Sequence, residues 1–172
     1  DGQTTTHDNG SGTRLGALAL DYRGARLKAS LDLIHQQNRT RRLPSYTAVW
    51  SYEDTELPAA PDVRINTSDP GAWSREVDQT VLLASEFALT EQWTLYGAAG
   101  RSDWTYKAAE MTTVVRNRSG DSERALYGFN TDVDRQSYRV GIRGRLQTGP
   151  VAHRLVVNAD RYRAVQREGY TT

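Results

Sequence analysis

Aromatic and cationic side chains concentrate in stretches of the chain that show little regular pattern. The aromatic residues are Tyr46, Trp50, Tyr52, Trp73, Trp104, Tyr106, Tyr127 and Phe129, and the nearby cations are Arg41, Arg42, Arg64, Arg116 and Arg118. Aromatic rings stack on planar groups and attract cations, and guanidinium groups bind anions. This combination suits the recognition of a planar, anionic metal chelate. Packing of one loop against another is the simpler explanation for any single member of the set.

Four of these aromatic residues are our candidate ligand-binding residues: Trp50, Tyr52, Trp104 and Tyr106. Trp104 and Tyr106 follow Tyr96 by 8 and 10 positions, both even numbers. Alternate residues of a strand point to the same side. We therefore expect both rings to lie on the same side of a sheet as Tyr96, pointing inward.

Catalytic and metal-binding chemistry is not indicated by this sequence. The three histidines, His7, His35 and His153, lie in separate segments without the spacing of metal ligands, and there is no cysteine. The net charge is only +1, which gives no general attraction to nucleic acid. We expect neither an enzyme, nor a resident cofactor or metal, nor a nucleic-acid partner.

The elements that position these residues are predicted to be β-strands, because hydrophobicity alternates with a period of two. Between residues 26 and 36, for example, one side carries Leu27, Ala29, Leu31 and Leu33, and the other carries Lys28, Ser30 and Asp32. The same pattern recurs along the chain. It predicts six antiparallel strands near 13–22, 26–37, 79–89, 93–107, 135–147 and 151–167.

The connections between these strands alternate in length. Three are tight turns, and two are long loops near 38–78 and 108–134. Outer-membrane barrels have short periplasmic turns and long extracellular loops, and their strands approach ten residues. The fold class predicted is therefore all-β: an antiparallel, up-and-down transmembrane β-barrel. A soluble β-sandwich explains the alternation but not the two long loops.

One side of each predicted strand suits lipid. Tyr22, Phe87 and Trp93 lie on the apolar side near the tight turns, where aromatic rings favour the membrane interface. The opposite side carries Lys28, Asp32, Glu86, Arg139, Arg143, Arg145, Arg154 and Asp160. Closed membrane barrels begin at eight strands, so six strands need neighbours. We expect residues 1–172 to be a partial barrel domain, a six-strand segment of a longer protein.

Several stretches resemble the barrel of TonB-dependent siderophore receptors. Residues 14–24 and 91–100 are similar to barrel hairpins of that family. Residues 57–62, followed by Asn66, Pro70 and Trp73, are similar to an extracellular loop between such strands. In many members the proline and the tryptophan are adjacent, whereas two residues separate them here. The resemblance extends over residues 13 to 168.

The resemblance implies a 22-stranded barrel in the bacterial outer membrane, with an N-terminal plug domain that is absent from residues 1–172. It implies a receptor and transporter that imports a ferric siderophore, energised by the inner-membrane TonB complex acting through the plug. Outer-membrane lipid is then a further partner. The alternatives are a passive porin-like barrel, a soluble β-sandwich binding module and an outer-membrane enzyme. The chelate itself, whether siderophore, haem, cobalamin or sugar, is not specified by the sequence.

Overall fold

The computed structural model describes residues 2–3, 9–44, 46–49, 52–54, 56, 62 and 68–171, with the backbone alone at 2–3 and 46. These residues form eight β-strands: β1 (Gly2–Gln3), β2 (Gly10–Arg23), β3 (Leu27–Arg41), β4 (Tyr46–Ala48), β5 (Trp73–Ala88), β6 (Trp93–Val115), β7 (Ser122–Thr148) and β8 (Val151–Thr171). No helix in the described residues is long and apolar enough to cross a membrane.

The strands form one sheet in the order β1-β2-β3-β5-β6-β7-β8, with β4 paired to β6. Every pairing is antiparallel except that of β4 with β6, which is parallel. The six long strands coincide with the six that the alternation predicted. The all-β class and the up-and-down hairpin order of the long strands are thus confirmed, and the 22-strand count stays a prediction.

The expectation of a long loop near 108–134 was wrong, because most of this segment is strand. Strands β6 and β7 pair without interruption from Trp93 opposite Gly144 to Val115 opposite Ser122, which leaves a turn of only 116–121. The alternation fades beyond residue 107 because apolar residues there occur on both faces, as buried Met111 on the apolar face and buried Val133 on the opposite face show. The other loop, expected near 38–78, is shortened to 42–72 because β3 and β5 also extend further.

The register separates the side chains into two faces. We call one the apolar face; in its central rows it carries Leu31, Leu83, Leu95, Ile142 and Val157. The other, the opposite face, carries all eight charged residues that the alternation assigned to it. No second layer of the described residues covers the apolar face, and half or more of Leu83, Val140 and Val157 is exposed.

Apolar residues occupy only part of each strand. We call the end of the sheet with the three short turns the turn end, and the other the loop end. On the apolar face of β6 the apolar residues run from Trp93 to Ala99, and Arg101 and Asp103 follow. In β7 they run from Leu146 to Tyr138. This apolar band is about seven to nine residues long, close to the ~9–11 with which a tilted strand crosses a bilayer.

Local chemistry explains the short turns. The hydroxyl of Thr90 accepts hydrogen bonds from the backbone N–H of Gln92 (3.2 Å) and Trp93 (3.1 Å), closing the turn between β5 and β6. Gly149 has a φ of 59°, a left-handed conformation that favours glycine. Gly24 does not use a positive φ; its N–H donates to the carbonyl of Leu27 at 2.7 Å.

The described part of the 42–72 loop folds back onto the tip of the β6–β7 hairpin. The N–H of Glu53 donates to the carbonyl of Arg116 at 2.8 Å, and the N–H of Arg118 donates to the Asp54 carboxylate at 2.6 Å. The Arg118 guanidinium also pairs with Glu56 at 2.7 Å. These contacts hold the loop against the hairpin tip.

Candidate functional site

Two half-buried aromatic rings form a stacked pair on the opposite face, near the loop end. Trp104 and Tyr106 are alternate residues of β6, so their side chains point the same way. Their ring centroids are 5.9 Å apart and their planes differ by 7°. Arg101 and Asp103, on the other side of the same strand, already lie beyond the apolar band. The pair is therefore a flat platform outside the membrane-sized part of the sheet.

A carboxylate on the neighbouring strand fixes the indole of this platform. Glu76 of β5 accepts a hydrogen bond from Trp104 Nε1 at 2.6 Å and another from Asn38 Nδ2 of β3 at 2.9 Å. The Asn38 hydrogen bond, with that from Trp104, lowers the pKa of Glu76 below its usual 4.5, because both donors favour the charged form. Three strands thus contribute to the position of one ring.

A second carboxylate fixes the phenol. Tyr106 donates a hydrogen bond from its hydroxyl to Glu110 Oε1 at 2.6 Å, along the same strand. Burial raises the pKa of Tyr106, and the hydrogen bond to Glu110 raises it further, because both favour the neutral phenol. Tyr106 is therefore a protonated donor at any physiological pH, with its ring held parallel to the indole.

A further aromatic pair lies beside the platform on the same face. Phe129 of β7 is opposite Ala108 of β6 in the register, and Tyr170 of β8 is opposite Phe129. The Phe129 and Tyr170 rings meet edge to face, with centroids 5.5 Å apart. The loop end of the opposite face is consequently lined with aromatic surface across three adjacent strands.

The structure places only two of the four predicted site residues together. Trp104 and Tyr106 lie together and share a face with Tyr96, as their spacing suggested. Tyr52 lies on the 42–72 loop, where its hydroxyl donates to the carbonyl of Glu56 at 2.7 Å, and it makes no ring contact with the platform. Trp50 is outside the described residues. Whether any of them binds a ligand stays a prediction.

Two of the arginines expected near aromatic residues lie beside one, but not beside the platform: Arg41 is opposite Trp73 in the register, and Arg118 acts electrostatically on the Tyr52 hydroxyl. Arg41 lies on the apolar face of β3, away from the platform. Arg116 pairs with Glu123 at 2.6 Å, and Arg118 pairs with Glu56 on the loop. Arg64 is outside the described residues. The charged groups that contact the two rings are instead the carboxylates of Glu76 and Glu110.

Sequence reasoning missed Glu76, Asn38, Glu110 and Tyr170. Each acts on an aromatic ring through cross-strand or same-face proximity, which depends on the register. A signal existed only for Glu110, which has the parity of Tyr106 and lies four residues after it. The other three require the pairing of β3 with β5, β5 with β6 and β7 with β8.

The chemistry of this site is that of non-covalent recognition. Within the residues that the structure describes, no group of three or more histidine or acidic side chains is placed to hold a metal ion. The platform offers stacking surface, and the carboxylates offer hydrogen-bond acceptors. Such a surface binds a planar or partly apolar ligand by contact area and orients it by a few polar groups.

Comparison with known proteins identifies two receptors that this chain is similar to. It is 26% identical over 155 residues to the ferrichrome receptor FcuA of Yersinia enterocolitica, covering 90% of the chain and 20% of that protein. It superposes on the solved structure of BauA, the ferric preacinetobactin receptor of Acinetobacter baumannii, with a TM-score of 0.82 and 22% identity, covering 99% of the chain and 25% of that structure. No family model matches the sequence.

The comparisons confirm the resemblance to siderophore receptors that the sequence motifs carried. The structural likeness extends along almost the whole chain and shows that the sheet has the fold of part of such a receptor. Both similar proteins are receptors and not enzymes, in agreement with the expectation from the sequence. The chain spans about a fifth of the length of the curated relative and a quarter of the solved structure.

Proposed function

We propose that this chain is part of the barrel of a bacterial outer-membrane receptor that binds a ferric siderophore and imports it with energy from the TonB complex. The observation that carries the proposal is the Trp104–Tyr106 platform. It lies on the opposite face, at the loop end, of a sheet whose other face carries an uncovered apolar band. The similarity to two ferric-chelate receptors supports the same function.

The apolar band faces lipid in this proposal, and the opposite face lines the interior of the barrel. Arg143 pairs with Glu86 at 2.7 Å on that interior face, and Arg139 pairs there with Asp160. Charged pairs are tolerated in a wet interior, whereas arginine on the lipid face costs ~2–4 kcal/mol at the midplane. The loop end, with residues 42–72 and the β6–β7 hairpin, is then extracellular, and the turn end is periplasmic.

Ligand capture takes place at the loop end. A chelate that enters from outside meets the Trp104–Tyr106 platform before it reaches the membrane-sized part of the barrel. The rings are fixed in advance by Glu76 and Glu110, so that binding costs little conformational entropy. A plug domain elsewhere in the complete protein closes the barrel and transmits the TonB force.

Alanine substitution in the complete protein tests this proposal. The change Trp104→Ala with Tyr106→Ala removes both stacking surfaces, and we expect affinity for ferrichrome to fall roughly tenfold or more, as for central aromatic contacts in other interfaces. Trp73→Ala is the matched control, because Trp73 lies at the same loop end but on the apolar face, away from the platform. Binding is measured by quenching of tryptophan fluorescence and uptake with radioactive iron.

Three outcomes would contradict the proposal. If the wild-type protein binds neither ferrichrome nor a ferric catecholate, it is not a receptor for these chelates. If iron uptake persists in cells without TonB, the barrel is a passive pore. If both variants bind alike, the platform is not the binding surface.

A further inference from the structure

The aromatic platform lies in a part of the opposite face where carboxylates outnumber cations. Among the described strand residues of this face, those from the row of Trp104 to the loop end include no lysine or arginine and five carboxylates: Glu76, Asp78, Glu110, Glu123 and Glu168. Glu123 is paired with Arg116 of the hairpin turn. The first cation on this face, Arg135, is opposite Ser102, one row nearer the apolar band. The fixed charges around the two rings are therefore negative.

Each ring of the platform has a carboxylate directly across the strand pair. Asp78 of β5 is opposite Trp104 in the register, and Glu76 is opposite Tyr106. Glu110 lies beyond Tyr106 on the same strand and accepts the hydrogen bond of its hydroxyl at 2.6 Å. All three carboxylate side chains are half-buried. Charges act more strongly where water is partly excluded, so these three groups determine the electric field at the rings.

Uncharged donors hold these carboxylates in place. Glu76 accepts hydrogen bonds from an amide and an indole. Asp78 accepts from the hydroxyl of Thr80 at 2.9 Å. Glu168 accepts from the hydroxyl of Tyr170 at 2.8 Å. Hydrogen bonds from uncharged groups favour the ionised carboxylate but leave its negative charge uncompensated.

The phenol of Tyr106 responds to this negative field. Burial is the main cause of its raised pKa, followed by the hydrogen bond to Glu110, and the negative charges of Glu110 and Glu76 raise the pKa further. The two carboxylates thus oppose a negative charge at the platform, and for the same reason they favour a positive one. The rings act in the same direction, because the π faces of tryptophan and tyrosine attract cations. Aromatic faces combined with carboxylates suit an ammonium group.

The charge of a ferric chelate depends on the groups that bind the iron. Three hydroxamates, each with a single negative charge, balance Fe³⁺ and give a neutral complex. Three catecholates, each with a double negative charge, give a trianion. A protonated amine elsewhere on the chelator adds one positive charge. An amine-bearing ferric trihydroxamate is therefore a cation, and a ferric tricatecholate is an anion.

We propose that the Trp104–Tyr106 platform and its carboxylates select a positively charged chelate, a ferric trihydroxamate that presents a protonated amine to the rings. This inference rests on the proposed receptor function and names the class of its substrate. The amine is attracted by the ring faces and by Glu76, Asp78 and Glu110, and the same groups repel a ferric tricatecholate. The anionic chelate that the arginine content of the sequence suggested is thus disfavoured at this surface.

The test uses the complete protein in detergent and two chelates that differ only in charge. One is a linear ferric trihydroxamate with a free amine, and the other is the same chelate with its amine acetylated. Binding is measured by quenching of tryptophan fluorescence. We expect the amine form to bind roughly tenfold more tightly than the acetylated form, because it adds a cation–π contact that the carboxylates strengthen. A ferric tricatecholate should bind more weakly than both.

Neutralising the carboxylates should abolish this preference. The triple variant Glu76→Gln, Asp78→Asn and Glu110→Gln keeps amide oxygens that can accept the hydrogen bonds of the two rings. It removes the three negative charges, so we expect it to bind the amine and acetylated forms equally, each as tightly as the wild type binds the acetylated form.

A matched control removes as many charges from the other side of the same sheet. Asp103→Asn, Asp132→Asn and Asp134→Asn change residues of β6 and β7 that lie on the apolar face beyond the apolar band. This variant has the same net charge as the triple variant, and it should keep the wild-type preference for the amine form.

A further variant keeps the test decisive if the triple variant does not fold. Thr131 of β7 is opposite Tyr106 in the register, on the side away from Glu76. Thr131→Lys supplies a cation to this face from the protein itself, where it is attracted by the nearby carboxylates. We expect the preference for the amine form to disappear and the ferric tricatecholate to bind more tightly than it binds the wild type.

Three results would overturn the inference: equal affinity of the wild type for the amine and acetylated forms, tighter binding of the ferric tricatecholate than of either, or the same preference in the triple variant and its control. If a chelate still binds and its affinity depends on Trp104 and Tyr106, only this inference fails and the receptor function stands. If none of the three chelates binds the wild type, the receptor function fails for these chelates and the inference fails with it.

Discussion

At the scale of single residues, Glu76 determines how the Trp104 indole is presented. The carboxylate accepts from Trp104 Nε1 and Asn38 Nδ2, and both contacts depend on its charge. Charged acceptors make the stronger hydrogen bonds, and a protonated carboxyl group loses acceptor capacity. The orientation of the platform is thereby linked to the ionisation of one side chain.

The pH dependence of this linkage has a definite sign. The pKa of Glu76 is lowered in the folded protein, so its contribution to stability is complete above the unfolded value of about 4.5 and is lost as the pH falls through the lower folded value. We expect a change in Trp104 fluorescence with a midpoint below pH 4.5. Glu76→Gln should abolish this change, whereas Asp78→Asn, two residues further on the same face, should retain it. A midpoint above 4.5 would contradict the assigned hydrogen bonds.

Sequence reasoning at this scale found the two rings but not what fixes them. Trp104 and Tyr106 are recognisable from residue type and parity alone. Along the chain, Glu76 is 28 positions and Asn38 is 66 positions from Trp104. The three residues become neighbours only through the pairing of β3 with β5 and of β5 with β6. Their role can therefore be inferred only when the strand pairing is known.

At the scale of elements, the β6–β7 hairpin shows where the alternation fails as a signal. Inside the apolar band the two faces differ in polarity, and the strands were predicted within a few residues. Beyond it both faces contain buried residues, such as Met111 on one and Val133 on the other, so burial does not select alternate residue types. The hairpin continues to Val115 and Ser122 because its backbone groups pair across the strands. Backbone hydrogen bonding of this kind does not require an alternating pattern of hydrophobic residues, so the sequence pattern does not reveal it.

Close packing within this hairpin gives a prediction for its stability. Trp93 lies over Gly144, its register partner, and a Cβ at Gly144 would be 2.3 Å from Trp93 Cε3. Gly144→Val must displace the indole, and overpacking of this kind costs typically 1–3 kcal/mol. We expect a decrease of that size in the free energy of unfolding, measured by urea denaturation in lipid vesicles.

Gly16→Val is the control for this change. Gly16 is also on the apolar face, and a Cβ there has no atom within 4 Å. We expect its stability to remain within about 0.5 kcal/mol of the wild type. Equal destabilisation of both variants would show that loss of glycine, and not the contact with Trp93, is responsible.

At the scale of the whole molecule, the most important feature is the apolar band, which no other layer of the described residues covers. A sheet with one uncovered apolar face needs lipid or another protein layer. If lipid covers this face, adjacent residues of one strand must point alternately to lipid and to the wet interior of the barrel. Leu83 is in the middle of the apolar band, and Ala84 points to the opposite face.

Spin labelling measures this difference directly. This chain contains no cysteine, so Leu83→Cys and Ala84→Cys each introduce one labelling site here. In vesicles we expect the label at 83 to be accessible to oxygen and shielded from a water-soluble nickel chelate. The label at 84 should show the reverse preference. Shielding of both labels from oxygen would indicate a protein layer over the apolar face instead of lipid.

The two-residue period of the sheet also constrains how the length of this chain can change during evolution. One residue inserted inside β5 or β6 would turn every following side chain of that strand to the other face, placing charges in the apolar band and leucines in the interior. The loop at 42–72 and the turn at 116–121 only connect strand ends, so an insertion of any length there leaves the side chains of the strands on their original faces. Length variation among natural homologues should therefore accumulate in those two segments, and within strands it should occur in steps of two or as a bulge.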